Sequence, residues 1–382
     1  MNTYFIHTIE LYRLITYSEF TKLNRGLRRF KNDNEYRCLE HEKDGITILF
    51  RRCTDNEKKK KGNKYGYKLI VIFNPSRLIE NNTYINRIWN TNAFVSSITL
   101  FNEKIKWIFE KVIPDISGIN DFVLSRIDIT KDISGIPKNV IQEYIKTIRR
   151  FPLNYGYSLN TKLEENCPTF KYENSINIIN KARGIEFVLY NKHQATIDQK
   201  YPDEIQNYYT DTLRMEFRCS RKFIKKNIKN LDLFNSLIYF YININSIVEA
   251  VFYKIFSYGY DSCFLSHYWL EKVIKKKFYS KEKKQKKMIK LVNFLYRNPD
   301  KSLNDTLSQL FPSKKSQDTI MDSFDKIQLS PIATQSADIP YMQSIGSLLE
   351  FKNISTNEIK YFDMIKIRSR GKEVFLHSEI IN

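Results

Sequence analysis

The chain has 382 residues, long enough for two or three domains with cores of their own. Its 62 Lys and Arg against 42 Asp and Glu give a formal charge of +20 at pH 7, a balance that favours an anionic partner. No apolar run approaches the roughly eighteen residues of a spanning helix, and the opening MNTYFIHTIELYRL has a strand-like pattern without a signal-peptide layout. Nucleic acid is therefore the expected partner class, a membrane is not, and the cytoplasm is the expected compartment. Cys38, Cys53, Cys167, Cys219 and Cys263 are odd in number, far apart and free of any C-x-x-C, as expected for reduced thiols without a zinc knuckle.

In chain order, a strand near 3–14 precedes a helix in which Phe20, Leu23, Leu27 and Phe30 keep helical spacing. Strands follow near 35–41 and 45–52, then a charged loop, EKKKKGNK, and an apolar strand over 67–73 that runs into Asn74-Pro75-Ser76-Arg77. Ile105, Ile108, Phe109 and Val112 predict a helix that stops at Pro114. The stretch FVLSRIDITKDI (122–133) reads as a strand. Pro137 opens a helix whose stripe is Val140, Ile141, Tyr144, Ile145 and Ile148. A hairpin around Lys181-Ala182-Arg183-Gly184 leads into a strand over 185–192, and another strand covers 213–220. Strands and helices mix without strict alternation, which predicts an α+β domain with a mainly antiparallel sheet.

From about residue 221 the chain reads as helical. The segment 231–257 is apolar, and 272–290 holds ten lysines and one glutamate. Ser302 is the expected cap of a helix with Leu303, Leu307 and Leu310 as its stripe, and Ile320, Met321, Phe324 and Ile327 mark the next. Their short connection suits a helix-turn-helix. A hairpin around Ser355-Thr356-Asn357 would make it a winged helix over about 288–368. The expected division is an α+β domain over 1–220 and a helical, basic DNA-binding domain over 221–382. Lys283, Lys284, Lys286, Lys287, Lys314 and Lys315 are its candidate phosphate contacts.

Three of the strands carry charge on one face. With period two, Arg126, Asp128, Thr130 and Asp132 share a side of 122–133, opposite Val123, Ser125, Ile127, Ile129 and Ile133. Arg214, Glu216 and Arg218 line one side of LRMEFRCS (213–220), and Glu186, Tyr190 and Lys192 one side of IEFVLYNK (185–192). The plainer reading is a solvated sheet with cross-strand ion pairs. The sharper reading is one polar surface able to hold a divalent ion and a phosphate, with Asp128, Glu216 and Asp132 as ligands and Arg126, Arg214 and Arg218 against DNA. No G-x-x-x-x-G-K-[ST], G-x-S-x-G or H-E-x-x-H is present, so P-loop and hydrolase-triad chemistry find no support. Carboxylates, many tyrosines and a basic surface suit phosphodiester cleavage by a tyrosine with a metal.

At these residues the chain resembles plasmid and phage rolling-circle replication initiators. SRIDIT (125–130), EFVLYNKHQ (186–194) and LRMEFR (213–218) look like the R-hydrophobe-D, Y-[ND]-K and R-x-E-x-R signatures of the Rep-trans group and of filamentous-phage gene II/X-like proteins, in that order. YKLIVIFNPSRLI (67–79) is similar to an element of the phage-like branch. The resemblance covers roughly residues 1–230. It implies a nicking domain with Mg²⁺ or Mn²⁺, a tyrosine that cleaves one strand at the origin and stays on its 5′ end, and duplex and single-stranded origin DNA as partners, with a host helicase as a further one. It also implies a nucleophile about a dozen residues before the Y-[ND]-K tyrosine, where Asn177 stands, so Tyr172 and Tyr190 both remain candidates, ahead of Tyr155 and Tyr157. Lys192 is the expected contact to the scissile phosphate. The rival reading is a non-catalytic origin-binding or regulatory protein of a mobile element.

Overall fold

Period-two segments rich in Ile, Val and Phe pair into one large sheet, and the segments of helical period cover it or form a second unit. The computed structural model describes residues 4–26, 29–32, 35–38, 45–56, 65–79, 90–160, 174–227, 232–256, 261–350, 366–369 and 372–375. In chain order the elements begin with β1 (Phe5–Thr16), α1 (Tyr17–Gly26), β2 (Arg29–Asn32), β3 (Glu35–Cys38), β4 (Ile46–Arg52), β5 (Tyr65–Phe73), α2 (Pro75–Ile79) and α3 (Thr91–Phe109). They continue with β6 (Val123–Ile133), α4 (Lys138–Arg149), β7 (Ser158–Leu159), β8 (Ser175–Asn180), β9 (Ile185–Asn191), α5 (Lys192–Asp198), α6 (Asp203–Tyr208), β10 (Leu213–Ser220) and α7 (Arg221–Asn227). The remainder is α8 (Leu233–Ile242), α9 (Ile244–Ile255), β11 (Phe264–Leu265), α10 (His267–Lys277), α11 (Glu282–Arg297), α12 (Leu303–Leu310), α13 (Lys314–Asp325), β12 (Tyr341–Met342), α14 (Ile345–Leu348), β13 (Lys366–Ser369) and β14 (Lys372–Phe375).

The fold is α+β. Ten strands form one sheet in the order β2-β3-β4-β5-β1-β6-β10-β9-β8-β7. The ladders β1–β5, β1–β6, β6–β10 and β10–β9 at its centre are antiparallel. The three charged strands are therefore adjacent: β10 lies between β6 and β9. At the β8–β9 turn, Gly184 takes φ +70°, and a Cβ there would stand 2.0 Å from Ser220 Oγ, so a side chain at this position would be both strained and crowded. The helical pattern expected over 20–30 breaks at Gly26, and Phe30 lies in β2 instead, because 29–32 pairs with β3 as a hairpin. Glycine costs a helix about 1 kcal/mol, and the ladder takes over.

The chain divides into two compact units. The first comprises Met1–Ser134, Gly156–Thr169 and Asn177–Val251, and the second Gly135–Tyr155, Phe170–Ile176 and Phe252–Asn382. In the first, Ile9, Leu11, Val71, Ile127, Ile129, Met215 and Phe217 are buried along the apolar side of the strands. Phe101 of α3 stacks on Phe73 at 4.2 Å, and Phe94 of the same helix stacks on Tyr241 of α8 at 4.5 Å. These rings bury large areas at preferred offsets and fix the helices on the sheet. Among the described residues no single helix is long and apolar enough to cross a membrane; the stretch 231–257 splits into α8 and α9, bent by 74°.

In the second unit, the Arg150 guanidinium donates to the carbonyls of Leu295 (2.7 Å) and Lys301 (3.1 Å). It thereby caps the C-terminal end of α11, where carbonyls lack partners and a cation is favoured. Ser302 accepts from the Asp305 amide and donates to its carboxylate, so α12 starts at the expected cap. Leu348 ends the short helix α14. The hairpin expected around 355–357 lies outside the described residues; β13 and β14 pair as a separate one.

Candidate active site

The register places the charged residues on one surface. Along β6–β10, Arg214 faces Asp132, Glu216 faces Thr130, Arg218 faces Asp128, and Ser220 faces Arg126. Along β10–β9, Arg214 faces Tyr190 and Arg218 faces Glu186. Asp128 and Glu216 are thus diagonal neighbours on one face of one sheet.

Within this face each charge has a different partner. Arg214 donates to both oxygens of Asp132, at 2.5 and 2.7 Å, with side-chain exposures of only 3 % and 0 %. Arg218 bridges Glu216 (3.2 Å) and Glu186 (3.3 Å). The Tyr190 hydroxyl donates to Glu216 at 2.6 Å. Arg126 lies 3.0 Å from Asp128 and 3.4 Å from Glu10. The Arg126–Asp128 contact is an ion pair without hydrogen-bond alignment, since Arg126 Nε and Asp128 Oδ1 are both buried and unmatched.

Those surroundings drive the two carboxylates apart. Burial raises Asp128 to about 7, with the negative charges of Glu216 and Glu10 adding to it and Arg126 and Arg218 opposing. Burial also acts to raise Glu216, but Arg218, His7, Arg214 and the Tyr190 hydroxyl outweigh it and hold Glu216 at about 2. One carboxyl that exchanges a proton near neutrality beside one that stays ionised is the arrangement acid–base chemistry uses. Burial, helped by the Glu216 charge, raises the Tyr190 hydroxyl well above the ordinary phenol range.

Lys192 does not continue the strand. Asn191 caps α5 by accepting from the Gln194 amide, and Lys192 is the first residue of that helix. Its ammonium lies 5.0 Å from the centre of the Tyr209 ring, and burial together with Arg214 lowers it to about 7. His7 was not among the expected site residues. It sits where β1 slips register against β6, between Ile6 and Thr8, and such a bulge re-aims a side chain. Burial and Arg214 lower it to about 4, and Glu216 acts on it in the opposite sense.

The expected ligand set is only partly available. Asp132 has both oxygens on Arg214 and no exposure, so it stands as scaffold rather than metal ligand, and Arg214 is sealed away from a phosphate for the same reason. Among the described residues no group of three or more His, Cys, Asp or Glu side chains is placed to hold a metal. Asp128 fits a Mg²⁺ or Mn²⁺ held by one carboxylate, the rest of its shell being water and phosphate oxygens, whereas both oxygens of Glu216 are taken, by Tyr190 and by Arg218. The unmatched Asp128 Oδ1 and the repulsion between the two carboxyls are what a cation would relieve. Tyr172 lies outside the described residues. Tyr155 is fully exposed and Tyr157 buried.

The second unit carries its own basic feature. Lys283, Lys284 and Lys287 of α11 and Lys315, Ser316 and Thr319 of α13 line a groove of about 490 Å³. Burial and the nearby Lys326 and Lys281 pull the Lys284 ammonium below its ordinary value. Lys286 and Lys314 instead pair within their helices, with Glu282 at 2.5 Å and Asp318 at 3.0 Å.

No family model and no curated protein matches the chain. Among solved structures it is similar to a rolling circle replication initiator protein from Geobacillus stearothermophilus, at 10 % identity and a TM-score of 0.30, over 66 % of this chain and 84 % of that one.

Proposed function

We propose that the chain is a DNA replication initiator of the rolling-circle type, which cleaves one strand at an origin through a tyrosine. The observation that carries the reading is the side-by-side pairing of the three motif strands, which gathers Arg126, Asp128, Glu186, Tyr190, Glu216 and Arg218 on one face. The tyrosine oxygen attacks phosphorus, the bond to the 3′ oxygen breaks, and the strand stays on the protein by its 5′ phosphate. The phenol proton passes to water, which returns one to the departing 3′ oxygen, and Arg126 and Arg218 lie where they can meet the phosphate. A Mg²⁺ or Mn²⁺ on Asp128 would offset the charge of the non-bridging oxygens. Tyr190 is a positioning group in this scheme, because it is buried and burial with the Glu216 charge raises its hydroxyl well above the ordinary phenol range. We assign the nucleophile to Tyr172, ahead of Tyr155 and Tyr157, on its place before the Y-[ND]-K motif alone. The lysine groove of the second unit holds duplex DNA by its phosphates.

One observation favours the rival reading. Every charged member of the face already has a partner of opposite charge, as in a sheet built only for stability. A non-catalytic origin-binding protein would keep the groove and use the sheet as scaffold. Relaxation of supercoiled plasmids bearing a library of inserts, with Mn²⁺, separates the two. Nicked circles that disappear with Asp128→Asn support the enzyme. Binding without nicking across the library supports the rival.

A further inference from the structure

The second unit contains a feature that neither the sheet nor the lysine groove uses. His267 and Trp269 of α10, Tyr296 of α11 and the loop residues Thr334 and Gln335 line a pocket of about 230 Å³. His267 and Tyr296 are stacked, with ring centres 4.3 Å apart and planes 27° apart. His267 Nε2 donates to Asn293 Oδ1, which fixes the imidazole. Tyr268 meets Trp269 edge to face at 5.2 Å, and it is 65 % exposed. Tyr296 is 36 % exposed. The Lys272 ammonium lies 4.7 Å from the Trp269 ring centre and 5.9 Å from that of Tyr268, so positive charge borders the rings.

The far wall is polar and incomplete. The Gln335 backbone amide donates to the Glu143 carboxylate at 2.5 Å, which pins the loop to α4. Its side-chain nitrogen is buried and has no hydrogen-bond partner. A buried amide left unpaired costs about 1–3 kcal/mol, and a ring acceptor entering the pocket would give it the missing bond.

Rings for stacking, one amide donor and a bordering ammonium together match a planar heterocycle that carries ring acceptors and a phosphate. We propose that this pocket takes one nucleobase of an unpaired DNA strand, stacked on the His267–Tyr296 pair with Gln335 on its edge. A base in a duplex has both faces covered by its neighbours, so the site selects single strands. The inference goes beyond the proposed nicking function and does not depend on the sheet.

The test uses the full chain and a short oligo(dT) strand carrying one 2-aminopurine, whose fluorescence falls when it stacks. Quenching on binding is expected, with strand affinity followed separately by anisotropy. Tyr296→Ala and Trp269→Ala should each weaken the strand by roughly 5- to 150-fold, the range of one lost base–aromatic stack, and should remove the quench at saturation. Tyr268→Ala, at an exposed ring, serves if either of those unfolds. Replacing Lys283, Lys284 and Lys287 by Ala should weaken binding and leave the quench at saturation intact. No quench with the wild type, or a quench that survives both ring variants, overturns the proposal. Equal affinity for free 2-aminopurine nucleotide and for the strand overturns the strand assignment in favour of a nucleotide site.

Discussion

The sheet face and the lysine groove are both charged, yet they are built on opposite principles. On the face, Asp132, Arg214 and Glu216 are removed from water and held by specific partners, and Asp128 and Glu216 are pushed far from ordinary titration values. In the groove, Lys283, Lys287 and Lys315 stand in solvent beside an open cavity. A buried charge costs several kcal/mol to desolvate and is held by geometry, whereas an exposed one is screened within about 8–10 Å at physiological salt. The face should therefore respond to substitution and pH, and the groove to ionic strength.

The largest effect should come from breaking the sealed pair. Arg214→Met leaves Asp132 buried without its guanidinium and should cost about 3–5 kcal/mol in urea unfolding. Adding Asp132→Leu to that variant should recover a large part of the loss. A loss below about 1 kcal/mol would mean that the pair behaves as a surface bridge, and the contrast with the groove would collapse.

The next effect is a pH dependence with two opposed signs. Asp128 keeps its proton to about pH 7 in the folded chain but only to 3.8 when unfolded. Between these values only the unfolded state has released the proton, so stability falls as pH rises. His7 is lowered from 6.5 to about 4 when folded, so its contribution is lost as pH falls through that window and grows as pH rises. Asp128→Asn should leave only the rise and gain up to about 4 kcal/mol over wild type at pH 7. His7→Phe should leave only the fall. Unfolding free energies measured between pH 4 and pH 7 check both, and parallel curves for the three proteins would contradict the shifted values.

A smaller effect belongs to Tyr190. Tyr190→Phe removes one hydrogen bond to a charged acceptor and should cost about 1.5–3 kcal/mol. The lysines should barely touch stability. Replacing Lys283, Lys284, Lys287 and Lys315 by Ala should stay within about 0.5 kcal/mol while flattening the slope of log affinity against log salt by about 3–4 on duplex DNA. Lys286→Ala with Lys314→Ala should flatten it less, since those ammonium groups already have carboxylate partners.

The parts legible in the sequence were those set by local period. Alternation along 122–133 and 213–220 gives the polar face at once, because a ladder keeps parity and the two strands pair in register. The Ser302 cap is a local hydrogen bond and was equally readable. His7 was not, because its place depends on a register slip against a strand more than a hundred residues away. Nor was the sealing of Asp132, since alternation assigns a face but says nothing of which neighbour claims a side chain. Lys192, expected at the end of the strand, begins a helix instead, because the Asn191 cap turns the chain there.

The β6–β10–β9 face is proposed as a nicking site in which Tyr190 is not the nucleophile. The direct measurement is a denaturing gel of the full chain incubated with labelled single-stranded DNA from an insert that it nicks, in Mn²⁺. The expected result is a covalent protein–DNA band that vanishes with Tyr172→Phe and with Asp128→Asn, and that weakens but survives with Tyr190→Phe. Complete loss with Tyr190→Phe and none with Tyr172→Phe would make the buried hydroxyl the nucleophile and overturn its assignment as a positioning group. A band unaffected by Asp128→Asn would contradict the claim that this face performs the chemistry.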